Sequence, residues 1–140
     1  MLDFLEFRNT YERRGADYDH GEMWDAYQDY FHENVQAGDG VTVHYYTDAH
    51  AGTVISRTKN KLVIRQDKAT LDPNWKPEFI PGGFCAHCTN QSEQTYTYEP
   101  NPDGVVYTAR WNDSKKRKGW YVDQSLRVSF GRHEYYDYNF

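Results

Sequence analysis

Apolar positions recur every three or four residues through the first 36 residues, and every second residue from position 41 onward. Residues 3–14 place Phe4, Phe7 and Tyr11 on one helical face, ending before Gly15. Residues 21–36 place Met23, Trp24, Tyr27, Tyr30, Phe31 and Val35 at i, i+1, i+4, i+7, i+8 and i+12, with acids opposite. That spacing predicts an amphipathic helix. "QAGDG" (Gln36 to Gly40) stops it, with Gly38 placed as a C-cap. An aromatic stripe at this spacing reads as packing before it reads as a cofactor box.

From Val41 the period of two predicts strands. "VTVHYY" (Val41 to Tyr46), "GTVISR" (Gly52 to Arg57) and "KLVIRQD" (Lys61 to Asp67) are rich in β-branched and aromatic residues, and "TKN" joins the last two as a turn. "EQTYTYE" (Glu93 to Glu99) alternates strictly, "PNPDG" (Pro100 to Gly104) turns the chain, and "VVYTARW" (Val105 to Trp111) is expected to return antiparallel to it. "SKKRKG" (Ser114 to Gly119) reads as a basic hairpin tip, followed by "GWYV" and "SLRVSF" as the last strands. The expected class is α+β: two N-terminal helices, then a twisted antiparallel β-sheet or partly open barrel. An acidic helical extension over residues 1–38 and a β-rich ligand-binding domain over 39–140 form one compact unit on this reading.

Composition and charge sharpen the picture. Valine, isoleucine and leucine total 17, against 24 tyrosine, phenylalanine and tryptophan residues, so flat amphipathic rings are expected near the surface where planar ligands stack. Residues 1–40 carry 10 acids and 3 bases, net −7, whereas residues 41–140 carry 11 and 13, net +2. The acidic part suits solubility or a decoy surface; the sheet part suits an anionic ligand. A pI near 5.6 argues against general nucleic-acid binding. No long apolar run or leader pattern occurs, and the two cysteines lie three apart, so a protein of the reducing cytoplasm with no membrane partner is expected.

Candidate chemistry centres on three features. "FCAHCTNQ" (Phe84 to Gln91) holds Cys85 and Cys88 around His87, inside a stretch from Leu71 to Ser92 without strand pattern. A structural zinc site needs four ligands, and no second paired motif supplies them, so no metal is expected; Phe84 and Asn90 instead offer a stacking ring and an amide, with His87 beside phosphate. "HYYTDAH" (His44 to His50) sets Asp48 between two histidines and invites acid–base chemistry, without any nucleophile elbow or phosphate loop to support an enzyme. Cations and amides also stand beside rings: Arg65 and Lys68 at a strand end, Asn90 and Gln91 after Phe84, Arg110 next to Trp111, and Arg132 before Tyr135 and Tyr136. Guanidinium forks pair with phosphate, rings stack on bases and amides read base edges, so a nucleotide-derived small molecule is the expected ligand.

"GVTVHYYTDAHAGTVI", "RQDKAT", "GGFCAHCTNQ" and the terminal "GRHEYYDYNF" resemble small proteins of bacterial phages and prophages, over residues 39–140. Among these, the chain resembles the Thoeris anti-defence sponge family, first type. The resemblance implies a β-rich homo-oligomer in the host bacterial cytoplasm that captures cyclic ADP-ribose-derived signals, and in some members cyclic oligonucleotides, without cleaving them. It implies no cofactor and no catalytic residue. Its binding residues would fall on Phe84, Asn90, Arg110 and Arg132, with Arg57 and Arg65 as further candidates; the acidic helices have no counterpart. Two other classes stand beside it: an acidic protein-binding inhibitor of a host defence or nucleic-acid-binding factor, and a small zinc or nucleotide-processing enzyme.

Overall fold

The computed structural model describes residues 1–12, 20–81 and 87–139. Two helices come first, α1 (Phe4–Glu12) and α2 (His20–Asn34). A reciprocal capping box starts α1: Asp3 Oδ1 accepts from the Glu6 amide at 2.8 Å, and Glu6 Oε2 accepts from the Asp3 amide at 3.2 Å. The apolar stripes then meet. Phe4 lies edge-on to Trp24 (5.1 Å between centroids) and Tyr27 (5.4 Å), and Phe7 packs on Tyr27 (5.2 Å). No helix among the described residues is long and apolar enough to cross a membrane.

Ten strands follow: β1 (Gly40–His44), β2 (Ala49–Thr58), β3 (Lys61–Gln66), β4 (Lys68–Leu71), β5 (Phe79–Ile80), β6 (His87–Cys88), β7 (Tyr96–Glu99), β8 (Val106–Asn112), β9 (Gly119–Val122) and β10 (Leu126–Phe130). Six of them close an antiparallel barrel in the order β1-β10-β9-β8-β3-β2. Every connection around the ring joins neighbours, so this is an up-and-down barrel, interrupted once between β3 and β8. The interruption holds two short ribbons, β4 with β7 and β5 with β6, and a 3-10 turn at Gln91–Glu93. The α+β architecture read from the sequence is therefore present, and the barrel is closed rather than partly open.

Period-two alternation fills the interior. Val41 and Val43, Val54, Leu62 and Ile64, Ala109, Trp120 and Val122, and Val128 are all buried together. Phe31 and Val35 from α2 join this same core, so the helix is part of the barrel's packing and not an appendage. Aliphatics and one tryptophan fill the centre, while tyrosines such as Tyr46 and Tyr136 stay exposed. At the end of α2, Gly38 adopts φ +97° and its amide donates to Val54 O at 2.8 Å, a left-handed turn that glycine accepts without strain.

One expected pairing is different. β7 and β8 do not form a hairpin: β7 pairs with β4, and β8 with β3 and β9. The turn between them explains this. The Gly104 amide donates to Asn101 O at 2.9 Å, and Gln66 O comes so close that a Cβ on Gly104 would collide with it. That approach returns the chain to β3, where the Gln66 amide donates to Val105 O at 2.8 Å.

Beyond β10, residues 131–139 run across the outside of the barrel and onto the inserted ribbons. Thr42 Oγ1 donates to Gly131 O (2.6 Å) and accepts from the His133 amide (2.8 Å); Ala49 and Tyr135 exchange both backbone bonds. Gln94 binds both backbone groups of Tyr136, and Asn139 does the same for Cys88, taking its amide at 2.6 Å and giving to its carbonyl at 3.0 Å. The segment is a clasp between barrel and insertion.

Candidate functional site

The seven candidate ligand residues that the structure describes do not converge. Arg57 is the clearest departure. A β-bulge at Ile55 shifts the phase of β2, so Arg57 pairs opposite buried Leu62 and turns toward α2. Its Nη1 donates to His32 O (2.7 Å) and Val35 O (2.8 Å), with further bonds to Thr58 O and Lys59 O, and its guanidinium lies 5.6 Å from the Trp120 ring centre. It closes the carbonyl end of the helix, where a cation also meets the negative end of the helix dipole.

Arg132 is likewise engaged. Its Nε meets Asp67 Oδ2 at 2.8 Å and its Nη2 donates to Thr53 Oγ1, which in turn donates to Asp67 Oδ1 at 2.7 Å. Asp67 is buried, so this arginine neutralises it. Arg65 stands opposite Thr53 and Val106 on the outer face, its Nε buried without a partner. Lys68 is exposed on β4 opposite Glu99, and His87 is exposed on β6 opposite Ile80.

Asn90 spends its amide on its own loop. Its Nδ2 donates to Lys76 O at 2.8 Å, and its Oδ1 accepts from the Glu78 amide at 2.8 Å and from Cys88 Sγ at 3.5 Å. Phe84 and Cys85 lie outside the described residues. Among the described residues no three His, Cys, Asp or Glu side chains are grouped to hold a metal.

The histidines of "HYYTDAH" also part company. His44 Nε2 pairs with Ser129 Oγ at 2.7 Å, and burial first, then Arg127 and His133, lower its pKa to about 4. His50 Nδ1 pairs with Glu134 Oε2, a partner that raises its pKa. Asp48 instead accepts the Asp137 amide at 2.8 Å, fixing the clasp. His44 and Asp48 border one hollow with His133 and Tyr135, whereas His50 is held by Glu134.

Arg110 is exposed and lines a cleft. Across β3, β8 and β9 the register sets Lys61 beside Arg110 and Arg110 beside Tyr121, all on the outer surface. They border a cleft of about 720 Å³, also lined by Trp111, Asn112 and Arg117. Arg117 reaches over Tyr121, its guanidinium 4.4 Å from the ring centre, and its Nη2 donates to Gln124 O at 2.7 Å. Among the described residues, Lys61 and Arg110 make no side-chain hydrogen bond or ion pair. Beside the cleft, His32 stacks on Trp111 at 4.2 Å and 12°, bordering a smaller hollow with Asp29, Lys59 and Asp113. Lys61, Arg117 and Tyr121 are not marked by cations next to rings along the chain. Neighbours across strands were the usable signal: Lys61 and Arg110 both fall on the outward phase of their strands.

Comparison of the chain with protein-family models, with curated proteins and with solved structures finds no match.

Proposed function

We propose that this protein captures an anionic, ring-bearing small molecule of nucleotide type in the Arg110 cleft and holds it without turnover. The observation that carries the reading is the pair Lys61–Arg110, two adjacent cations with no side-chain partner among the described residues, at a cleft with aromatic walls. Charge-assisted bonds from such groups suit phosphate oxygens, and a guanidinium already laid on a tyrosine offers a flat cationic surface to a base. The cleft volume falls in the range that small-molecule sites occupy. The biological setting we propose is sequestration of a cyclic ADP-ribose-derived immune signal by a phage protein, acting in the host cytoplasm as a homo-oligomer.

The test is direct. Protein is incubated with cyclic ADP-ribose, separated from free nucleotide, heated, and the released nucleotide is analysed. Intact nucleotide, retained by wild type and lost at least about tenfold more readily by Arg110→Ala, supports the reading. A cleaved product turns the protein into an enzyme, and no retention by wild type overturns the reading altogether. Light scattering on the same sample reports the oligomer; a strict monomer overturns that part.

A further inference from the structure

The hairpin turn between β9 and β10 is built from the wrong residues for its shape. Asp123 and Gln124 both sit in the left-handed region, at φ 50° and 64°, and the Ser125 amide donates to Val122 O at 3.1 Å. Two consecutive residues with positive φ make the two-residue turn that asparagine–glycine serves with least strain. Aspartate tolerates this region, whereas glutamine is uncommon there. Strained backbone at non-glycine residues tends to persist where the side chain does something else.

Both residues line the Arg110 cleft. Neither makes a side-chain hydrogen bond among the described residues, while the Gln124 carbonyl is held by Arg117, the residue stacked on Tyr121. The turn is therefore tied by one arginine to the flat surface on which a ring would lie. A carboxylate accepts only, and a carboxamide both donates and accepts.

We propose that Asp123 and Gln124 are the specificity-determining pair of this cleft, reading the edge of a nucleobase that carries an exocyclic amino group beside a ring nitrogen. Asp123 accepts from the amino group, and the Gln124 amide donates to the ring nitrogen. Adenine and cytosine present that edge. Inosine and uridine set a carbonyl oxygen where the amino group stands, and that oxygen faces the Asp123 carboxylate without a proton between them. The inference rests on the cleft being the ligand site.

Calorimetric titration with ADP, CDP, IDP, UDP and inorganic pyrophosphate tests it. Wild type should bind ADP and CDP about tenfold or more tighter than IDP and UDP, the scale of a two-bond base contact. Asp123→Asn, whose amide can turn to donate, should level or invert that preference. Gln124→Gly relieves the turn, so it should raise the melting temperature while lowering affinity for ADP and leaving pyrophosphate unchanged. Equal binding of amino- and carbonyl-bearing bases, or an unaltered preference in Asp123→Asn, overturns the inference and leaves the cleft reading in place. Absence of binding for all four diphosphates also overturns it, and the cleft itself is then judged by the retention of cyclic ADP-ribose.

Discussion

His50 Nδ1 lies 2.7 Å from Glu134 Oε2, joining the second barrel strand to the clasp. Glu134 Oε1 also accepts from the Ala51 amide at 2.9 Å, so one carboxylate binds two points of β2. The clasp is held partly by a proton.

That proton gives a signed pH dependence. The Glu134 bond raises the folded pKa of His50, so its stabilisation is full below the unfolded value near 6.5 and is lost as pH rises through the folded value. His44 acts in the other direction. Its folded pKa of about 4 means the unfolded chain takes up a proton that the fold refuses, so stability falls as pH drops from about 6.5 to about 4. Melting temperatures should decline on both sides of about pH 6.5 from these two groups. His50→Gln should flatten the alkaline side and His44→Gln the acid side. An unchanged profile in both variants would contradict the assignment.

Arg57 should matter to stability and little to ligand capture. Arg57→Ala leaves the carbonyls of His32 and Val35 without their donor and should cost about 2 kcal/mol or more. Arg57→Lys should recover only part of this, because one ammonium cannot span the same set of acceptors. Urea denaturation measures both, with nucleotide affinity as the control.

Gly104→Ala should destabilise although its φ is ordinary. The new methyl would collide with Gln66 O, a backbone atom that cannot swing aside. An overpacking penalty of about 1–3 kcal/mol is expected, with faster amide exchange at Gln66, which bonds Val105 O. A neutral Gly104→Ala would show that this turn can shift at no expense.

Asn139→Ala should loosen the inserted ribbons without unfolding the barrel. The side chain satisfies both the amide and the carbonyl of Cys88, so its removal leaves two backbone groups open in a partly buried place. Hydrogen exchange at Cys88 and Thr89 should accelerate, while exchange at Ile64 and Val128 in the core stays slow. Uniform acceleration would mean that clasp and barrel open as one unit.

Much of this architecture was legible in the chain. The switch from a helical period to a period of two at Val41 located both helices and all six barrel strands to within a few residues, because one-sided burial imposes that alternation. Strands β5 and β6, two residues each, left no alternation to detect; they are held by side-chain amides from elsewhere, Asn90 at Glu78 and Asn139 at Cys88. Site residues were harder to read for a related reason. Arg57 looked like a free cation until the bulge at Ile55 reversed its side, and Arg132 until Asp67 met it from 65 residues away. Arg110 was visible as a cation beside a tryptophan, but its true neighbours Lys61 and Tyr121 come from other strands.

Closure of the barrel between β1 and β10 also sets the order in which the chain can mature. Thr42 and Gly131, bonded across that seam, are 89 residues apart. During synthesis, β1 emerges with one edge unpaired and must wait for β10. Non-local pairing of this kind slows folding, since the loop entropy is lost before the closing contacts form. The nascent barrel thus passes through a half-built stage that exposes Val41 and Val43, and premature termination anywhere before Phe130 would release it with an open, adhesive edge.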